Sequence, residues 1–188
     1  MKIKQISFFS AAMISAVLLA ACSGNEQEDP HANMNHEGME ETEHMDHSNS
    51  GELPDGLEEA ANPKFELGSK AIMNADHMEG MDGAEATIAG AFDTTVYAIS
   101  YTPETGGERV ENHKWIVHEE IRNADDKPYQ PGDEVTVEAD HMEGMVGAVA
   151  IIDTAEQTTV YMVDYPSAAD GEKVKNHKWV TESELSAK

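Results

Sequence analysis

Gly147-Ala148-Val149-Ala150-Ile151-Ile152 and, a few residues on, Thr158-Thr159-Val160-Tyr161-Met162-Val163-Asp164-Tyr165 decide how this chain folds. Both stretches are crowded with β-branched and aromatic side chains, which fit a pleated surface and lose torsional freedom against a helical turn. Runs of this length, bounded by Gly and Asp, read as strands. Working outward, Gly132-Asp133-Glu134-Val135-Thr136-Val137 is a turn feeding an alternating strand. Beyond a second turn at Asp170-Gly171, Lys173 to Val180 forms a fourth, and Glu182-Ser183-Glu184-Leu185 closes as a last short element.

The pattern occurs twice. Aligning Phe65 to Glu120 with Tyr129 to Glu184 at a constant offset of 64 gives 26 identities in 56 positions without a gap. Each copy is therefore expected to be one structural unit, over residues 62–125 and 126–188. Five short strands in about 60 residues suggest a small curled barrel, similar to an SH3-like unit. A unit that small buries little apolar surface alone, so the two copies are expected to pack together. The predicted fold class is all-β, two tandem SH3-like barrels.

Ahead of them, residues 1–21 run from Lys2 and Lys4 through the apolar stretch Ile6 to Leu19, too short to span a bilayer, and read as a signal peptide. Leu19-Ala20-Ala21-Cys22 resembles a bacterial lipobox, which implies lipidation of Cys22, the chain's one cysteine. Two acyl chains hold a protein firmly at a membrane, at ~0.8 kcal/mol per buried methylene, so the expected location is the outer face of the cell membrane. Residues 22–61 are rich in Asn, Glu, Gly, His and Met with few branched aliphatics, and read as a disordered arm.

The chain has 12 basic against 37 acidic side chains in 188 residues, a formal charge of -25. Such an excess of acid repels phosphate backbones, which excludes nucleic acid as a partner and makes dissolved cations the natural ones. A lone cysteine removes internal disulfides, thiolate-rich zinc sites and iron–sulfur clusters. What remains conspicuous is nine His and 11 Met beside only four Phe and two Trp, because Leu and Phe fill a core better than Met does.

Those residues are patterned. The arm places His31, Met34, His36, Met39, His44, Met45 and His47 within 17 residues, among Glu and Asp. With no core to explain them, they are candidate metal ligands. In the repeats, Ala75-Asp76-His77-Met78-Glu79-Gly80-Met81 recurs as Ala139-Asp140-His141-Met142-Glu143-Gly144-Met145. Imidazole and thioether in one short loop make a plausible soft-metal grip, since thioether sulfur selects Cu(I) and imidazole suits copper generally. The same residues have a plain structural reading, with Met plugging a barrel mouth and His capping a loop. Asn112-His113-Lys114-Trp115 recurs as Asn176-His177-Lys178-Trp179, either as ligands beside a shielding indole or as a hydrogen-bonded turn beside a packed one. His118 faces Glu182 in the alignment and is left out of the site. No zinc-protease helix, Gly-x-Ser-x-Gly elbow or phosphate loop is present, so no enzyme is expected.

The paired Asp-His-Met-x-Gly-Met-x-Gly-Ala, Thr-Thr-Val-Tyr and Asn-His-Lys-Trp motifs resemble the YdhK-type repeat domain of Gram-positive bacterial lipoproteins, over about residues 62 to 186. That resemblance extends to copper-resistance lipoproteins of the CopL kind, which implies a copper-binding protein tethered outside the membrane. Carried over by position, the implied repeat ligands are His77, Met78, Met81, His113, His141, Met142, Met145 and His177. The expected function is sequestration of Cu(I) and Cu(II) at the cell surface, contributing to copper resistance, with no protein partner identifiable. The rival readings are an envelope module that binds cell wall or peptide and a buffer for zinc or nickel.

Overall fold

The computed structural model describes residues 49–188, all within the unit Glu43–Lys188. The expected signal peptide, Cys22 and the seven candidate ligands of the arm from His31 to His47 lie outside the described residues. The strands are β1 Lys70–Met73, β2 Glu85–Tyr101, β3 Val110–Val117, β4 Glu134–Thr136, β5 Val149–Pro166, β6 Lys173–Thr181 and β7 Leu185–Ala187. Single 3₁₀ turns, His118–Glu120 and Glu182–Glu184, follow β3 and β6, and there is no α-helix among the described residues. The all-β expectation holds.

The second and third expected strands of each copy run on as one. In the second copy they fuse into β5, 18 residues long, and in the first into β2, 17 residues long. No proline interrupts either strand before Pro166. The two pair antiparallel along almost their whole length, from Thr87 opposite Asp164 to Tyr101 opposite Ala150. Near the middle Thr94 faces Thr158, its own counterpart at the offset of 64. An antiparallel pair in which equivalent residues meet has a local twofold axis at that point, so the duplication in sequence becomes a twofold in space. The sheet follows the open path β4-β5-β2-β1-β7, with β3 hung on β2 and β6 on β5; it does not close on itself.

The long pairing interlocks the copies, so that neither is a structural unit on its own. One apolar core joins Phe65, Met73, Met81 and Ile88 of the first copy to Tyr161, Val163, Val180 and Leu185 of the second. The other joins Tyr97, Ile99, Ile116 and Ile121 of the first to Val135, Val137, Met145 and Ile152 of the second. Each lobe is thus the front half of one copy completed by the back half of the other. Continuing the strand through the middle satisfies every ladder hydrogen bond that two hairpin turns would have interrupted. A third cluster at the junction packs Phe92, Val96, Val160 and Met162 with both Trp115 and Trp179.

Residues 49–61, expected to belong to a disordered arm, are instead ordered against the sheet. Leu57 packs against the junction cluster, Asp93 N–H donates to Glu58 O at 3.1 Å and Ala60 N–H to Ala91 O at 2.9 Å. Asn49 N–H reaches Lys175 O at 2.9 Å, and Asn176 Nδ2 donates to Asn49 O at 3.1 Å. One leucine and a few backbone bonds to a bulged strand are enough to order a polar segment that carries little apolar area of its own.

Candidate metal centre

The Gly-x-x-Gly turns set which methionines face which way. Gly80 and Gly144 have φ of 81° and 76°, where side chains are strained, and a Cβ at Gly144 would meet Thr105 Oγ1 at 2.5 Å. The turns send Met81 and Met145 inward, where both are fully buried in the two lobe cores. These two methionines, expected as ligands, are core residues: a thioether is apolar enough to fill an irregular gap. Met78 is partly buried against the edge of one core, Met142 is exposed, and Tyr101 Oη donates weakly to Met142 Sδ at 4.0 Å.

The loop histidines are held from below by carboxylates of the other copy. His77 Nε2–H donates to Glu184 Oε1 at 2.6 Å, and His141 Nε2–H to Glu120 Oε1 at 2.8 Å. The second oxygen of each carboxylate is also committed. Glu184 Oε2 accepts from Trp115 Nε1 at 3.0 Å and Thr181 N at 2.9 Å; Glu120 Oε2 accepts from Trp179 Nε1 and Val117 N, both at 3.0 Å. Burial pushes the Glu184 carboxyl up, but its bond to His77 and the charge there, with the Thr181 and Trp115 donors, outweigh it and hold it at about 2. For Glu120 burial is opposed and overcome by His141, Val117 and Trp179, so it too lies below the ordinary carboxylate range. Both buttresses are ionised at neutral pH.

His77, His113, His141, His177, Met78 and Met142 all line one cavity of about 450 Å³. Six of the eight repeat residues expected as ligands are therefore brought together. Asp76, Glu111, Lys114 and Lys178 share its wall, with Lys114 drawn over Trp115 and Lys178 bonded to Glu52 O. The side chains of His77 and His141 are only 3% and 6% exposed. Yet His77 Nδ1, His141 Nδ1 and His113 Nε2 are buried without a hydrogen-bond partner. A stranded polar atom costs about 1–3 kcal/mol, so three around one cavity make it the candidate site. Burial, then repulsion from His141 and His77, pulls His113 down to about 4, leaving it neutral with a lone pair free to donate.

An imidazole that gives one N–H to a carboxylate and keeps its other nitrogen bare has the arrangement of a metal-ligating histidine. Among the described residues, no three His, Cys, Asp or Glu side chains converge into a ready-made cage. Met78 and Met142 add thioether sulfur to the wall, a donor that selects soft ions.

Glu120 and Glu184 were not read from the sequence as site residues, although their repetition at the offset of 64 was visible. His113 and Trp115, expected to share a face, have separate surroundings: His113 meets the edge of Tyr101, while Trp115 lies edge-on to His77. The strand alternation is broken by an irregular register between β2 and β3 and by Asn112 at φ 51°. His118 is tied between Tyr97 Oη and Asp125 O, both at 2.8 Å, and takes no part in the cavity wall.

Fold and site define a class: an all-β protein of two interlocked repeats whose histidines and methionines meet in one shared cavity. The chain belongs to the DUF1541 family, described as a protein of unknown function, whose pattern matches residues 67–118 and 131–182. It is similar to the uncharacterized protein YdhK of Bacillus subtilis strain 168, 58% identical over 177 residues, 94% of this chain and 86% of the relative. The crystal structure of that organism's DUF1541 family protein ydhK superposes with a TM-score of 0.75 at 64% identity, over 78% of this chain and 99% of that one. The solution structure of the ydhK C-terminal domain gives a TM-score of 0.63 at 64% identity, over 66% and 94%.

Proposed function

We propose that this protein is a non-enzymatic, extracytoplasmic copper-binding lipoprotein, anchored through Cys22, that sequesters Cu(I) at the cell surface and so contributes to copper resistance. The observation that carries the reading is the meeting of four repeat histidines with Met78 and Met142 around one cavity, three of their buried ring nitrogens unpartnered. Thioether needs no deprotonation and prefers a soft ion, while bare imidazole nitrogen completes a low-coordinate Cu(I) sphere. The acidic exterior raises the local concentration of cations, and the soft ligands select among them. Seven further His and Met in the arm supply additional capacity, and the sequence-level likeness to CopL-type lipoproteins points the same way. A zinc or nickel buffer is the weaker reading, because the thioethers of Met78 and Met142 on the cavity wall suit a soft ion such as Cu(I) better than either.

The test is a titration of the mature protein against a Cu(I)-specific chromogenic chelator at micromolar concentration. Withdrawal of copper from the chelator is expected; a protein that leaves the chelator fully loaded is no copper sequestrant.

A further inference from the structure

We propose that the two repeats jointly build a single soft-ion site, in which His77 and His141 ligate through Nδ1 while Glu184 and Glu120 act as positioning residues. The proposal rests on the copper reading and says where, and through which atoms, the core of the protein holds a monovalent soft cation.

Each loop histidine takes its carboxylate from the other copy: His77 of the first from Glu184 of the second, His141 of the second from Glu120 of the first. Neither repeat contains a complete ligand with its support. Each carboxylate is locked in turn by an indole N–H and a main-chain N–H, so the carboxylate that holds the imidazole cannot rotate without stranding several buried donors. The ring nitrogen left over is the same one in both copies, Nδ1, and both copies of it are buried and without a partner. The hydrogen bond to a carboxylate oxygen occupies Nε2 in both rings, so Nδ1 is the nitrogen left over.

The twofold at Thr94 and Thr158 relates these two assemblies, and both open on the same cavity. One ion there meets two equivalent imidazoles, with Met78 and Met142 as the matching pair of thioethers. Two separate sites, one per repeat, would each offer a single buttressed imidazole and one sulfur. A hydrogen-bonded polar pair kept this deep adds little stability over well-packed apolar residues. Its repetition with a bare nitrogen on the far side of the ring is what a ligand-positioning device requires.

The experiment uses the mature full-length chain in which all seven arm candidates, His31 to His47, are replaced by Ala. It is titrated with Cu(I) in competition with the chelator, alone and with His77→Gln, His141→Gln or Glu184→Gln added. The expected result is one equivalent per chain, its affinity lost with either histidine substitution and reduced about 10–100-fold by Glu184→Gln. Near-ultraviolet circular dichroism checks that each variant is folded; should His77→Gln or His141→Gln unfold, Glu184→Gln carries the comparison. Long-range ¹H–¹⁵N spectra with Ag(I), a diamagnetic stand-in, supply a second readout: Nδ1 of His77 and His141 is expected to shift and Nε2 to keep its proton. Two equivalents, each abolished by its own histidine, overturn the shared site, as does a shift at Nε2. No binding once the arm is replaced, but binding by the unsubstituted chain, also overturns it and leaves the copper reading standing. No binding by either protein removes both.

Discussion

Replacing Glu120 separates what this carboxylate does for the fold from what it does for the site. Glu120 is 5% exposed and takes three hydrogen bonds, from Val117 N, Trp179 Nε1 and His141 Nε2. Glu120→Ala strands all three donors in the interior. At about 1–3 kcal/mol for each buried unsatisfied group, and with part of the cost relieved by entering water, a loss of about 3–5 kcal/mol is expected. Glu120→Gln behaves differently. Its amide oxygen can replace Oε2 and keep Val117 and Trp179, but its NH₂ then confronts His141 Nε2–H. The imidazole must move its proton to Nδ1 and accept at Nε2, a rearrangement worth about 1–2 kcal/mol as one altered buried bond. The ligand nitrogen is then the one that carries a proton. Urea unfolding followed by tryptophan fluorescence, on apo protein, measures both losses. A Glu120→Ala protein within 1 kcal/mol of the parent, or no difference between Ala and Gln, would refute the buttress.

Other outcomes follow from the same geometry. Met145→Leu, a swap of similar volume in a closed core, is expected to cost under about 1.5 kcal/mol and leave copper stoichiometry unchanged, whereas Met142→Leu weakens Cu(I) binding without lowering the melting temperature; reversal of the two would move the ligand into the core. The His113 proton is bound more weakly in the folded chain, at about 4 against 6.5, so stability is flat above pH 6.5 and falls as the pH drops toward 4, by at most about 1.4 kcal/mol per unit. Glu184 is displaced downward from 4.5 to about 2, so its contribution is present above pH 4.5 and disappears between there and pH 2. Urea midpoints from pH 8 to pH 3 trace both segments, and His113→Asn is expected to remove the upper one. Gly144→Ala forces a Cβ against Thr105 and Pro103 at a φ of 76°, and a melting temperature equal to the parent's would contradict that packing. A chain of residues 126–188 alone lacks half of each core, so light scattering is expected to find it unfolded or as a dimer in which two copies complete each other; a folded monomer would contradict the interlocking.

The residues that form the sheet announced themselves, because β-branched runs such as Thr158 to Tyr165 have few other options. Their continuity did not. Between Ile152 and Thr158 the segment Asp153-Thr154-Ala155-Glu156-Gln157 is polar and reads as a turn, yet it lies in the middle of β5, where strands of different copies cross and most of its side chains meet solvent. Polarity marks exposure, and exposure is compatible with either a turn or an open stretch of strand. The histidines were visible because a core has no use for His77 and His141 at repeated positions. Their carboxylates, Glu120 and Glu184, were hidden because support comes from the opposite copy, 21 and 107 residues away along the chain. Met81 and Met145 misled because a thioether is equally at home in a core and on a soft ion, and only the positive-φ glycines beside them decide which. Residues 49–61 look like spacer because a single Leu57 and backbone bonds, which leave no compositional trace, hold them down.

Anomalous diffraction at the copper edge from crystals grown with the arm-substituted protein and one equivalent of Cu(I) tests the central claim most directly. The account predicts one peak per chain, in the cavity bounded by His77, His141, Met78 and Met142. Two peaks related by the internal twofold, or an empty cavity beside copper bound elsewhere, would contradict it.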